Sequence, residues 1–272
     1  TRDGVISIVD MSHTSPDWQA ILSLGFPGLE KRAAAGNSLL HRAARQVYSA
    51  ARVFCRRLGK STANPAVIAL AERPPQTLQE AFALAYLYHN LQELEGEPVR
   101  TMGWFDRLYG EFYERDIAAG RLNRDSAKEL IKYFWIAFYA EHQGKGFGKN
   151  FCFGPTINGL SWLGMEVYYE MNTVDPKLSV RYTPDMPKDF LNLVLRNIRD
   201  GRTGIVFLND AKVIAGLIKH GRSPEDAAHY IPIGCYEPAV LGKEISRSGA
   251  TQIILAKIVE IFMQEKAEYA SY

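Results

Sequence analysis

The second half of the chain alternates short apolar runs with helical stretches, and this alternation narrows the possible folds more than any other feature. Pro176-Lys177-Leu178-Ser179-Val180-Arg181-Tyr182 reads as a strand that stops at Thr183-Pro184-Asp185. A helical pattern follows from Pro187 to Gly201, and a second strand runs from Ile205 to Asp210, bounded by Gly204 and the polar pair Asn209-Asp210. A helix then reaches His220, Ser223-Pro224-Glu225-Asp226 caps one more short helix, and a third apolar run, Ile231-Pro232-Ile233, closes the unit. Connections of this length serve parallel crossovers, which predicts an α/β fold. The three strand tips, near Arg181, Asn209 and Cys235, are then expected along one edge of a sheet or barrel, where such folds build their sites.

The third run ends in Gly234-Cys235-Tyr236-Glu237-Pro238. On an extended backbone residues i and i+2 point to one side, so Cys235 and Glu237 would face a common pocket and Tyr236 would face away. A thiol and a carboxylate could then act on one small molecule. The same spacing also fits a small buried thiol beside a solvated carboxylate. It is the strand order that favours chemistry there.

With 272 residues, 47% of them hydrophobic, the chain can bury a large core. Lys+Arg at 32 against Asp+Glu at 30 leaves a formal charge of +2, without the basic excess of a nucleic-acid binder, so the partner is read as a small molecule. Cys55, Cys152 and Cys235 make neither a CxxC pair nor an even disulfide framework, which points to free thiols in a reducing, cytoplasmic setting. No apolar run approaches the ~20 residues of a membrane span, and the opening Thr1-Arg2-Asp3-Gly4 is not a signal peptide.

Residues 4–9 read as a short strand, and the polar turn Ser12-His13-Thr14-Ser15-Pro16-Asp17 leads into a helix from Trp18, putting His13 on a strand-to-helix loop as a candidate ligand contact. Residues 22–58 carry one long helical pattern with a basic, solvated face. Thr77, with Glu80 three residues on, caps a helix to about Glu95. The loop 96–103 holds Arg100, which in a pocket would pair with a substrate carboxylate, sulfonate or phosphate and elsewhere would be an ordinary surface arginine. A segment from Trp104 to Ala119, stopped by Gly120, precedes a helix capped by Asn123 whose Tyr133, Phe134, Trp135, Phe138 and Tyr139 read as core. Gly144-Lys145-Gly146-Phe147-Gly148-Lys149 lacks the spacing of a phosphate-binding loop and precedes a strand at 150–154. A helix is expected from Gln252 to Ala267.

Taken together, these stretches resemble the glycyl radical enzymes, the pyruvate formate-lyase-like superfamily, and within it the branch of glycerol dehydratase and choline trimethylamine-lyase. Gly234-Cys235-Tyr236-Glu237-Pro238 is similar to that branch's Gly-Cys-x-Glu-Pro motif, and His13-Thr14-Ser15-Pro16-Asp17-Trp18 to its His-x-x-Pro-Asp-aromatic loop. Tyr113-Glu114-Arg115-Asp116 with Gly120-Arg121-Leu122, Leu178-Ser179-Val180-Arg181 and Phe207-Leu208-Asn209-Asp210 match in the same order.

The resemblance implies part of an α/β barrel surrounded by helices. In it Cys235 would carry a transient thiyl radical that takes hydrogen from a substrate carbon, Glu237 would act as general base, and His13, Arg100 and Ser248 would bind substrate. No cofactor or metal would be bound; the radical would rest on a backbone glycine, installed in trans by an S-adenosylmethionine iron–sulfur activase. The expected setting is the cytoplasm of an anaerobe and the expected assembly a homodimer of the complete enzyme, with no nucleic acid and no membrane.

Three departures qualify the match. The Arg-Val-x-Gly-Tyr glycine loop has no counterpart, since Val99-Arg100-Thr101-Met102-Gly103-Trp104 lies upstream of Cys235 rather than far downstream. Residues 1–272 are therefore expected to be a partial pyruvate formate-lyase-like domain, without the N-terminal helical region and the C-terminal glycine radical domain, and inactive without the remainder of the enzyme. Glu244-Ile245-Ser246-Arg247-Ser248-Gly249 lacks the aspartate of diol dehydratases, which disfavours glycerol or propanediol, and Arg100 stands in a segment that is His-Ser in those enzymes, which points to an anionic substrate. Two other readings fit the residues: a cysteine-thiolate enzyme with a histidine such as His13 as base, and a non-catalytic scaffold.

Overall fold

The computed structural model describes residues 5–7, 13–14, 16–94, 101–141, 149–202, 204–246 and 251–263. The short strands β1 (Val5–Ser7) and β2 (His13–Thr14) come first. Four helices follow: α1 (Trp18–Ala34), α2 (Leu39–Ser61), α3 (Pro65–Ala69) and α4 (Leu78–Leu94). The single helical pattern read over 22–58 is two helices, because Ser38 caps a new start by accepting from His41 N–H at 3.3 Å. Thr77 caps α4 as expected, its hydroxyl accepting from Glu80 N–H at 3.2 Å.

Next come β3 (Thr101–Trp104), α5 (Phe105–Ala118), α6 (Arg124–Glu141), β4 (Asn150–Phe153), α7 (Gly159–Met171), β5 (Lys177–Tyr182), α8 (Lys188–Arg199), β6 (Ile205–Asn209), α9 (Asp210–Lys219) and α10 (Pro224–Ala228). The chain continues through β7 (Tyr230–Ile233), β8 (Glu237–Val240), β9 (Ile245–Ser246), β10 (Thr251–Ile253) and α11 (Leu255–Met263). Strands β3, β4, β5 and β6 form one parallel sheet in that order, with a helical crossover before each of β4, β5 and β6. This is the expected α/β architecture. β1 pairs with β10, and β2 pairs with β9, antiparallel in both cases. The helix expected from Gln252 therefore begins three residues later, after a strand.

Alternation along the strands sorts the sheet into two faces. Phe151, Phe153, Leu178 and Val180 point to the helices and join a buried cluster with Phe82, Phe105, Phe134, Trp135 and Phe138. Phe105 is its hub, with ring centroids 5.0 Å from Trp135, 5.7 Å from Phe151 and 5.4 Å from Phe153. Phe134, Trp135 and Phe138 of α6 are thus core, with two corrections: Tyr139 is half-buried outside this cluster, and Tyr133 is 71% exposed, because it faces away from Phe134 and Phe138. The other face of the sheet carries Asn150, Cys152, Lys177, Ser179 and Arg181, and this is the face that builds the site. Among the described residues no helix is long and apolar enough to cross a membrane.

Candidate active site

β7 and β8 form an antiparallel hairpin on this second face, apart from the parallel sheet. Ile231, Ile233 and Ala239 pack on Trp104 and Cys152 in a small buried cluster of their own. Pro232 stands opposite Pro238, so the middle rung of the hairpin has no N–H to offer either way. A strand with a central proline is a poor member of a parallel ladder, and the hairpin is instead fastened to the sheet by side chains.

Three of these fastenings reach backbone carbonyls of β7 and the turn. Trp104 Nε1–H donates to Tyr230 O at 3.2 Å, and Arg181 Nη1 donates to the same oxygen at 3.3 Å. Asn150 Nδ2 donates to Gly234 O at 2.8 Å. The Arg181 guanidinium also lies 4.2 Å from the Tyr230 ring centroid and pairs through Nε with Asp210 Oδ1 at 2.6 Å.

These contacts fix the direction of the hairpin. Trp104 and Arg181 lie toward the C-terminal ends of β3 and β5, whereas Asn150 and Lys177 open β4 and β5 at the other end, where the Lys177 ammonium sits 5.9 Å from the Tyr236 ring centroid. β7 therefore runs against the parallel strands and delivers Cys235 to their N-terminal ends. The expected edge shared by Arg181, Asn209 and Cys235 does not form; Arg181 and Asn209 end up on the opposite side from the thiol. A cleft of about 610 Å³ that includes Arg181, Asp210 and His229 belongs to that opposite end and does not include Cys235.

The backbone at the tip is also not the extended chain read from the sequence. Gly234 has φ +52° and Tyr236 φ +80°, and Tyr236 N–H donates to Ile233 O at 2.9 Å, closing a tight turn. Glycine takes the first of these conformations at no cost, whereas a tyrosine in the second stores about 1–3 kcal/mol of strain. Cys235 stands exposed at the apex as a free thiol, and Glu237, half-buried, begins β8 opposite Ile233. The i, i+2 alternation that was to align Cys235 with Glu237 is thus replaced by the turn.

Around this tip, buried oxygens stand without hydrogen-bond partners: Glu237 Oε2, Asn150 Oδ1, Ser179 Oγ and both carboxylate oxygens of Asp175. Unpaired buried polar atoms are rare in folded proteins and collect where a ligand or another segment completes the bonding. Of the remaining candidates, His13 has its backbone paired with Ser246, in a short strand rather than a loop, and its side chain lies outside the described residues. Arg100 and Ser248 lie outside them entirely. Trp104, Asn150 and Arg181 were not singled out as functional from the sequence. The available signal was polar side chains, Asn150 and Arg181, set in otherwise apolar strands.

The start of β4 is itself anchored by charge. Lys149, 1% exposed, donates to Glu93 Oε1 at 2.5 Å and lies 2.6 Å from His89 Nε2. Burial works to raise the Glu93 carboxyl, but hydrogen bonds from His89 and Lys149 outweigh it and hold the group at about 2, against an ordinary 4.5. A carboxyl depressed on folding stabilises the native state above its unfolded value, and that contribution is lost as the pH falls toward its folded value. Stability is therefore expected to decline between about pH 4.5 and 2 through this group. Glu93→Gln should be less stable at neutral pH and flatter over that acid range, as thermal melts at stepped pH will show.

Comparison with known proteins settles the kinship. The model of the pyruvate formate lyase-like family matches residues 2–271. This chain belongs to that family. The resemblance read from the Gly-Cys-x-Glu-Pro stretch is borne out. The probable dehydratase YbiW of Escherichia coli is 31% identical over 198 residues, 64% of this chain and 24% of that protein. Isethionate sulfite-lyase of Nitratidesulfovibrio vulgaris is 24% identical over 213 residues, 71% of this chain and 26% of the relative. Among solved structures, a glycerol-bound B12-independent glycerol dehydratase from Clostridium butyricum matches with a TM-score of 0.82 and 23% identity, over 94% of this chain and 38% of that one. The likeness establishes the fold of this family member as part of a glycyl radical enzyme-type barrel. Its span is about a quarter of the length of the curated relatives it matches, 24% for the first.

Proposed function

We propose that this chain is the cysteine-bearing part of a glycyl radical lyase or decarboxylase acting on a small polar metabolite, with Cys235 and Glu237 as the reacting groups. The observation that carries the reading is an exposed thiol at the tip of a side-chain-anchored hairpin, two residues before a carboxylate with a buried, unpartnered oxygen, in a chain of this family. Cys235 gives its hydrogen atom to the glycine radical and becomes a thiyl. It then takes a hydrogen atom from a substrate carbon, reforming S–H, and leaves the unpaired electron on that carbon. Glu237 accepts the proton of the substrate hydroxyl or a neighbouring group as the adjacent C–C, C–N, C–O or C–S bond breaks. The departing group leaves with the bonding electron pair and takes up the proton held by Glu237, and the product radical retakes the hydrogen atom from Cys235, so the carboxylate and the thiyl are both regenerated and the step balances.

In this reading the glycine loop is contributed by the remainder of the enzyme, and so is the cover that keeps the radical from solvent. A separate S-adenosylmethionine iron–sulfur activase installs the radical, the complete enzyme is a cytoplasmic homodimer of an anaerobe, and Arg100, Ser248 and His13 contact an anionic substrate. The test is anaerobic activation of the full-length gene product. A glycine-centred EPR signal with consumption of a small hydroxylated or anionic metabolite is the expected result. A product with no such signal under any activase, in which Cys235 alkylates rapidly at neutral pH in air, would instead make it a thiolate enzyme.

A further inference from the structure

Asn150 is wholly buried, opens β4 and reaches across to the turn that carries Cys235. Its amide orientation is fixed by its partner, because Gly234 O can only accept; the NH₂ group must face the turn, leaving Oδ1 as the unpartnered atom. The base of the hairpin has two donors on Tyr230 O, from Trp104 and Arg181, while at the tip Asn150 is the side chain that grips the backbone of residues 234–236 among the described hydrogen bonds. That turn has residues of positive φ on both sides of Cys235, so its unstrained alternatives lie elsewhere and something must hold it in place. On the sheet side the amide is anchored at the first residue of a strand paired on both edges, opposite Thr101 and Lys177.

We infer that Asn150 is a positioning residue for Cys235: its hydrogen bond to the Gly234 carbonyl sets where the thiol stands relative to the substrate and the glycine loop. The inference rests on the radical reading for its effect on turnover, but the geometric claim stands apart from it. Asn150→Asp keeps the size of the side chain and removes both N–H donors, setting a carboxylate against a carbonyl oxygen. Asn150→Ala removes the contact altogether.

The experiment makes both variants in the full-length enzyme and reads two things. Hydrogen exchange should show the Tyr236 amide exchanging at least about tenfold faster, the scale of one lost buried hydrogen bond, with β4 and β5 protected as in wild type. In the activated enzyme kcat should fall roughly 100-fold with KM within about threefold and the glycine radical yield unchanged, as befits a displaced reacting atom. Unchanged exchange at Tyr236 in both variants would overturn the inference. So would protection lost evenly across the sheet in both, which would make Asn150 a residue of the fold and no more. If wild type itself neither forms the radical nor turns over, the radical reading fails while the exchange arm still decides the role of Asn150.

Discussion

Cys235→Ser and Cys235→Ala, each in the complete and activated enzyme, should abolish turnover, by roughly 10⁴-fold or more, the scale on which enzymes lose rate when the reacting group itself is removed. Serine is the sharper of the two tests, since it preserves the shape of the turn and replaces only the element. An O–H bond is far stronger than S–H, so the hydroxyl cannot give its hydrogen atom to a glycine radical. Cys235 is exposed at the apex, and its replacement disturbs no buried packing, so the variants should melt with wild type. The glycine-centred EPR signal should persist, because activation precedes the step that needs the thiol. Retained turnover in either variant would end the assignment of Cys235.

The second large effect is on the frame behind the thiol. Arg181, 2% exposed, satisfies three neighbours at once: the Asp210 carboxylate, the Tyr230 carbonyl and the Tyr230 ring. Arg181→Met keeps the bulk of the stem but leaves Asp210, 6% exposed, without its charge partner. Breaking one side of a buried ion pair costs about 3–5 kcal/mol, which for a domain of this size lowers Tm by roughly 10 °C. Pairing it with Asp210→Leu should return much of that loss, since removing both charges costs far less than removing one. A double variant no more stable than Arg181→Met would show that the loss comes from the missing Tyr230 contacts and not from the stranded carboxylate. In both variants the base of the hairpin loses one of its two donors.

Much of the fold could be read from residue patterns because the signals were local. Thr77 with Glu80, Asn123 with Ser126, and the stop at Gly120 each acted within a single turn of chain, and the structure follows them. The family was legible for the same reason, since Gly234 to Pro238 is a contiguous motif. The hairpin was misread because an apolar run at 231–233 outweighed the proline inside it, although Pro232, which stands opposite Pro238, has no N–H to give a parallel ladder. For the anchors of the site the sequence offered only the hint of polar Asn150 and Arg181 in apolar strands, and their partners were out of reach. Trp104, Asn150 and Arg181 grip backbone carbonyls 126, 84 and 49 positions away, and a carbonyl is the same group whatever residue bears it.

The way the hairpin is fastened also has a mechanical consequence. From Tyr230 to Gly234 is four residue steps, a lever of about 13 Å at the rise of a strand. It is clamped at one end by Trp104 and Arg181 and propped at the other by Asn150. A rotation of roughly 5° at the clamp would swing the tip about 1 Å against the Asn150 prop, a misplacement that can cost a reaction about a hundredfold. The Arg107 guanidinium, 4.6 Å from the Trp104 ring centroid, and the His229 ring, 6.0 Å from it, sit at this fulcrum. Small adjustments in their packing, at the far end of the sheet from the thiol, would thereby be geared up into the position of Cys235.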